Sequence, residues 1–314
     1  MNHTHNTSLS IVIPVYNSAA ILPELVRQLA ALLPSVAVGH EIILVNDGSR
    51  DESWEVIQRL ALEYPAVRGF TMMRNYGQHN ALLCGIRAAT KQIIVTMDDD
   101  LQHPPGEIPL LLAKLAEDYD VVYGTPREEQ HGLWRDLASQ VTKMALKGAM
   151  GAETARRASA FRAFKCQVRD AFADYRSPYV CIDVLLTWGT TRFASVFVRH
   201  EPRTVGTSNY TLRKLISHAL TMMTGFSVLP LQAASVMGFV CALFGFIILG
   251  YVIVRYLIEG GSAPGFPFLA SIISIFSGVQ LLAIGIIGEY LARMHFRMME
   301  RPSYVVRQSI QNKQ

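Results

Sequence analysis

Gln92-Ile-Ile-Val-Thr-Met-Asp-Asp-Asp-Leu-Gln-His-Pro-Pro105 opens as an apolar run, breaks into three consecutive acids and closes on two prolines. A short β-branched run without alternation suits a strand buried on both faces of a parallel sheet. Asp98, Asp99 and Asp100 at its end cannot all ionise cheaply side by side, because like charges raise one another's pKa. Two readings relieve that repulsion. One is a divalent cation held by hard oxygens. The other is a solvated acidic turn capping a helix that begins near Pro104.

The same pattern recurs on either side. Leu9–Val15, Glu41–Val45, Gly69–Met73 and Asp120–Tyr123 read as further strands. Between them Leu22, Leu25, Val26, Leu29, Leu32 and Leu33 recur at helical spacing, as do Val56, Ile57, Leu60, Ala61 and Tyr64. The expected fold is a doubly wound, Rossmann-like α/β domain, whose ligands bind at the carboxyl ends of the strands. Polar clusters fall at those ends: Pro14-Val-Tyr-Asn17, Asn46-Asp-Gly-Ser49, Arg74-Asn-Tyr-Gly77 and Asp98-Asp-Asp-Leu-Gln102. Beyond Gly124 the pattern predicts helices over Leu133–Met150 and Phe161–Tyr175 and a strand over Ala194–His200.

The pattern also excludes chemistries. No glycine-rich dinucleotide fingerprint and no phosphate loop ending in Gly-Lys-Ser/Thr occurs, which argues against nicotinamide or ATP-hydrolysing enzymes. Cys84, Cys166, Cys181 and Cys241 are scattered without metal-ligand spacing, so neither a zinc site nor a disulfide framework is expected. No nucleic-acid partner is expected. The segment Met1–Ser8 lacks the basic and apolar regions of a secretory signal, so the sequons at Asn2, Asn6 and Asn209 are expected to stay unglycosylated.

Composition separates a second region. Of 314 residues, 50% are apolar, and the excess lies in two tracts: Leu215–Val254, in which His218 is the one basic residue, and Gly260–Gly288. Each supplies the roughly 20 apolar residues that cross a hydrocarbon core. The expected layout is a catalytic domain over 1–210, an amphipathic interfacial helix over 211–227 and transmembrane helices over 228–258 and 267–290. A loop over 259–266 joins the helices, and a tail covers 291–314. Arg213, Lys214, Arg293, Arg297, Arg301 and Arg307 flank the open ends of this hairpin, whereas its loop has no Lys or Arg. By the positive-inside rule the catalytic domain and both termini are expected in the cytoplasm, at a bacterial inner membrane.

Ile13-Pro-Val-Tyr-Asn17, Val45-Asn-Asp-Gly-Ser49, Arg74-Asn-Tyr-Gly-Gln-His79 and Met97-Asp-Asp-Asp-Leu-Gln-His-Pro-Pro105 together resemble glycosyltransferase family 2. More narrowly they resemble its polyisoprenyl-phosphate members, such as dolichyl-phosphate mannose synthases, bactoprenol glucosyltransferases and undecaprenyl-phosphate 4-deoxy-4-formamido-L-arabinose transferases. That resemblance implies a GT-A nucleotide-diphospho-sugar transferase domain ahead of the hairpin. It implies inverting transfer of a sugar, carried on UDP, to undecaprenyl phosphate, for cell-envelope glycan or lipid A modification. It implies Mg²⁺ or Mn²⁺ held by Asp98, Asp100 and Gln102, and a nucleotide pocket built from Pro14, Tyr16, Asn17, Asp47, Arg74, Gly77, Asp98 and Asp99. Asp47 would bond the base, Asp100, Arg127 and Arg162 would be catalytic, and Arg127, Arg162, Arg203 and Ser208 would receive the acceptor phosphate. The tail is expected to add a strand to a neighbouring subunit, giving a tetramer.

Two positions depart from the family pattern. Ser18 stands where an acidic residue often follows Tyr-Asn, and Asn209 where a Lys often follows Gly-x-Ser. Rival readings are a processive polysaccharide synthase, whose Gln-x-x-Arg-Trp motif is missing here, and a non-catalytic nucleotide-sugar sensor in the membrane.

Overall fold

The computed structural model describes residues 7–126, 158–201, 229–259 and 266–311. Arg127, Arg203, Ser208, Asn209, the helix expected over Leu133–Met150 and the interfacial segment 211–227 lie outside the described residues. The chain divides into two units, Met1–Leu215 with Glu300–Gln314, and Ile216–Met299.

Among the described residues the first unit has eight strands: β1 (Ser8–Val15), β2 (Gly39–Asn46), β3 (Val67–Met72), β4 (Ile93–Thr96), β5 (Val121–Pro126), β6 (Arg162–Lys165), β7 (Phe193–Val198) and β8 (Val306–Gln311). They form one sheet in the order β7-β5-β6-β4-β1-β2-β3-β8. Strands β4, β1, β2 and β3 run parallel. Its α-helices among the described residues are α1 (Leu22–Val36), α2 (Ser53–Glu63), α3 (Gln78–Ala88), α4 (Ile108–Leu115) and α5 (Ile182–Gly189).

Apolar side chains on alternate residues of one strand feed two cores. Ile11 and Ile13 pack with Leu22, Leu25, Leu29, Ile57 and Leu111, while Val12 packs with Leu83, Ile86, Leu185 and Leu186. The sheet is therefore covered on both faces, as its unbroken apolar runs require. At Gly85 of α3 a Cβ would lie 2.3 Å from Val12 Cγ1, so the absence of a side chain lets α3 close onto β1.

Two expectations need correcting. The sheet is mixed rather than parallel, because β6 is antiparallel to both β4 and β5, and β8 to β3. The helix expected over Phe161–Tyr175 is instead β6 followed by a 3₁₀ turn over Cys166–Phe172. Phe161, Phe164, Val168 and Phe172 have helix-like spacing, but Phe161 and Ala163 enter one core and Phe164 the other, which is the period of a strand. The tail forms β8, which pairs antiparallel with β3.

The described residues of the second unit form helices α6 (Leu229–Glu259) and α7 (Phe266–Met298). Both are long and apolar enough to cross a membrane, over Leu231–Arg255 and Ile275–Ala292. Helix α7 continues about two turns past the expected end at residue 290, because the polar, basic stretch that follows contains no helix breaker before Pro302.

Candidate active site

Because β4, β1, β2 and β3 are parallel neighbours, their carboxyl ends share one edge of the sheet. Every described polar cluster singled out in the sequence meets there. Strand β6 runs the other way, so Arg162, opposite Thr96, begins at the same edge.

Three loops are locked together by side chains. Asp47, 3% exposed, accepts the backbone N–H of Tyr76 at 2.7 Å and of Gly77 at 2.9 Å. It thereby fixes the loop after β3 and places a carboxylate at the start of α3, where the helix dipole favours it. Burial nevertheless pushes its carboxyl up to about 6, with the two N–H donors and Arg74 pulling the other way. Gly48 follows with φ +67°, and a Cβ there would lie 2.6 Å from Asn75 N, so only glycine lets the two loops touch. Arg74 lies over the Tyr76 ring at 4.4 Å.

Asp99 ties the loop after β1 to the loop after β4. Its Oδ2 accepts Ser18 Oγ–H at 2.6 Å and Tyr16 N–H at 3.1 Å. Burial raises its pKa, and Asp100 adds to the rise, while the Ser18 and Tyr16 bonds oppose it. An acid at position 18 would face Asp99 directly, which gives the Ser18 departure a physical reason. Asn17 turns the chain with φ +56° and accepts Arg50 N–H on its Oδ1. Pro14 is buried beneath, and Tyr16 is exposed.

Asp98 Oδ1 accepts the Gln78 amide at 2.6 Å, and Asp100 Oδ1 accepts Gln102 N–H at 3.2 Å. Between them Leu101 adopts φ +58°, a conformation that L side chains rarely take. The three consecutive carboxylates thus take different partners, Asp99 in the loop lock, Asp98 on Gln78 and Asp100 on Gln102. The second reading of the acidic run, a cap on a helix, does not describe it, because α4 begins only after a 3₁₀ turn over Pro105–Glu107 and has no side-chain cap.

Arg162 is brought to this edge but is 1% exposed. Its guanidinium pairs with Asp183 on α5, and its Nε donates to Thr96 Oγ1 at 3.1 Å. The Tyr123 hydroxyl also donates to Asp183, at 2.9 Å. Burial works against the Arg162 charge, while Asp183 and, more weakly, Asp98 favour it.

Sequence reading missed Gln78, Ser18 as a partner of Asp99, and Asp183. Gln78 lies inside a quoted motif and could have been found from it. No spacing rule links Asp183 to Arg162. His103 was also unassigned. Its ring stacks on Phe161 at 5.2 Å, burial and His200 push its pKa down to about 4, and neither ring nitrogen has a hydrogen-bond partner among the described residues.

A family model described as glycosyl transferase family 2 matches residues 10–176. The chain is 35% identical over 301 residues to an undecaprenyl-phosphate 4-deoxy-4-formamido-L-arabinose transferase of Pseudomonas aeruginosa strain LESB58, covering 95% of this chain and 89% of that one. A protein of the same name from Shewanella sediminis is 36% identical over 311 residues, 98% of this chain and 94% of that one. Among solved structures, the chain is similar to glucosyl-3-phosphoglycerate synthase from Mycobacterium tuberculosis in complex with Mn²⁺, uridine diphosphate and glucosyl-3-phosphoglycerate. The TM-score is 0.52 at 18% identity, over 69% of this chain and 78% of that one.

Proposed function

The chain belongs to glycosyl transferase family 2 and is a glycosyltransferase, and from that premise we propose that it moves one sugar from a UDP-linked donor onto undecaprenyl phosphate, with inversion at the anomeric carbon. The observation that carries the acceptor class is the reach of the similarity. It runs past the family's catalytic region through both apolar helices, in relatives whose names specify undecaprenyl phosphate.

The donor side follows from the locked loops. Asp47 sets the backbone of Tyr76 and Gly77 against the turn at Gly48, and Pro14, Tyr16, Asn17 and Arg74 complete a nucleotide pocket on that frame. Asp98 and Asp100, with the Gln102 amide, have the hard oxygens that Mg²⁺ or Mn²⁺ takes. On nucleotide substrates such ions take one or two carboxylates and complete their coordination with phosphate oxygens. Such an ion supplies positive charge against the departing diphosphate.

The acceptor needs no catalytic base. A phosphate monoester with a second pKa of about 6 is already dianionic at neutral pH. The protein's task is to hold two anions in line. We assign that to Arg127, Arg203 and Ser208, with Arg162 adding charge from beneath the sheet edge. The two apolar helices keep the site at a bilayer that the polyprenyl tail cannot leave, with the catalytic unit and both termini on the cytoplasmic side.

The test is incubation of the full-length chain with undecaprenyl phosphate, Mg²⁺ or Mn²⁺ and a panel of nucleotide sugars, followed by mass spectrometry of the lipid. A gain of one sugar is expected. Consumption of a donor with the lipid mass unchanged would refute the acceptor assignment.

A further inference from the structure

The residues after α7 return to the catalytic unit and bind it at two places that flank the loop after β3. Val305 O accepts Met73 N–H at 2.9 Å, and β8 then runs antiparallel along β3. Ser303, 4% exposed, makes a reciprocal pair with Ser177, itself buried. Its Oγ–H donates to Ser177 O at 2.7 Å, and its Oγ accepts Ser177 N–H at 3.4 Å. Tyr304 between them lies under the Arg87 guanidinium at 5.8 Å.

The Ser177 segment leads back to both halves of the site. Asn80 Nδ2 donates to Pro178 O at 3.4 Å and to Tyr76 O at 2.8 Å, so one side chain bridges the segment to the loop that Asp47 holds. Further on, Ile182 N–H donates to His79 Nδ1 at 3.4 Å, and Asp183 pairs with Arg162. Starting at Ser303, a continuous run of hydrogen bonds therefore reaches Tyr76 on the donor side and, along the 177–183 backbone, Arg162 beside the acidic run.

We propose that the tail is a positioning clamp, in which Ser303 fixes the 177–183 segment and through it sets the Tyr76–Gly77 loop for nucleotide binding. The clamp rests on the reading of that loop as part of the donor pocket, but its mechanical half does not. Ser303 touches no substrate. Its hydroxyl serves by filling both hydrogen-bonding positions of a buried serine backbone, and alanine leaves that carbonyl and N–H without partners.

The experiment uses the full-length chain in detergent micelles and compares Ser303→Ala, Ser303→Cys, Ser303→Thr and Arg176→Ala. The last removes an exposed ion pair of the same tail with Glu300. Hydrogen–deuterium exchange is followed in peptides spanning 74–80 and 176–183, and the Kd for uridine diphosphate with Mn²⁺ is measured by calorimetry. In Ser303→Ala, exchange should quicken in both peptides and the Kd should weaken about three- to tenfold, the cost of one buried hydroxyl pair. Ser303→Cys should fall between, and Ser303→Thr and Arg176→Ala should match the parent. Quickened exchange confined to 300–311, or spread evenly over the sheet, overturns the clamp, as does a Kd within twofold of the parent. Should the parent bind no uridine diphosphate, the donor reading fails, and the exchange pattern still decides the clamp.

Discussion

Replacing Asp183 with asparagine removes the only carboxylate paired with the Arg162 guanidinium among the described residues, at a position where that guanidinium is 1% exposed. Breaking a buried ion pair from one side costs about 3–5 kcal/mol, because the remaining charge is left without compensation. Asparagine keeps a carbonyl oxygen for Arg162 or for the Tyr123 hydroxyl, which places the loss at the lower end, about 3 kcal/mol. For a unit of roughly 200 residues that corresponds to a fall in Tm of about 10 °C. Tryptophan fluorescence during thermal unfolding in micelles reads it directly, since Trp188 lies on the same helix as Asp183 and meets Tyr175 edge-on at 5.5 Å. The companion variant Arg162→Met/Asp183→Leu/Tyr123→Phe removes both charges and the hydroxyl that shared them. It should regain most of the lost Tm, as apolar replacement of buried ion pairs generally does. The reasoning is refuted if Asp183→Asn melts within about 2 °C of the parent, or if the triple variant melts no higher than the single one.

Asp100→Ala should lower transfer by about a thousandfold, the scale of several kcal/mol of charge stabilisation on the leaving diphosphate, with Tm almost unchanged; steady-state turnover at saturating donor checks it. Asp47 provides a pH test. Its folded-state carboxyl at about 6 lies above the ordinary 3.8, so ionisation opposes folding. The cost is absent below the ordinary value, grows as pH rises through the window and is complete above about 6. Asp47→Asn, which carries no charge at any pH, should therefore gain on the parent by up to about 3 kcal/mol between pH 4 and pH 8; a gap in denaturant stability independent of pH would rule this out. Ser18→Asp sets a second carboxylate against Asp99 and should weaken nucleotide binding about tenfold. Adding Asp99→Ala should restore binding, and calorimetry distinguishes the outcomes.

Much of the fold could be read from residue order because one rule governs it. Unbroken apolar runs between amphipathic helices make parallel strands covered on both faces, and β1 to β4 obey that rule with boundaries shifted by a residue or two. β6 breaks it. The strand is four residues long, and its buried arginine resembles a helix's polar face until Asp183 is known to lie opposite. The acidic run was legible as a site, but the division of labour within it was not. Asp99 differs from its neighbours because its carboxylate meets Ser18, which comes from 81 residues earlier. Likewise, nothing in the composition of 306–311 specifies which chain's β3 it joins.

The place of β8 in the chain has a consequence for how the protein is made. β8 covers the outer edge of β3, yet it is synthesised after both apolar helices. Until it arrives, the β3 backbone presents unpaired N–H and C=O groups, the kind of edge along which chains associate wrongly. Completion of the sheet must therefore follow synthesis of the hairpin, and a ribosome halted within α7 leaves a catalytic unit with that edge open. Premature truncation between Met298 and Val306 should yield a chain whose defect is first one of association and only second one of catalysis.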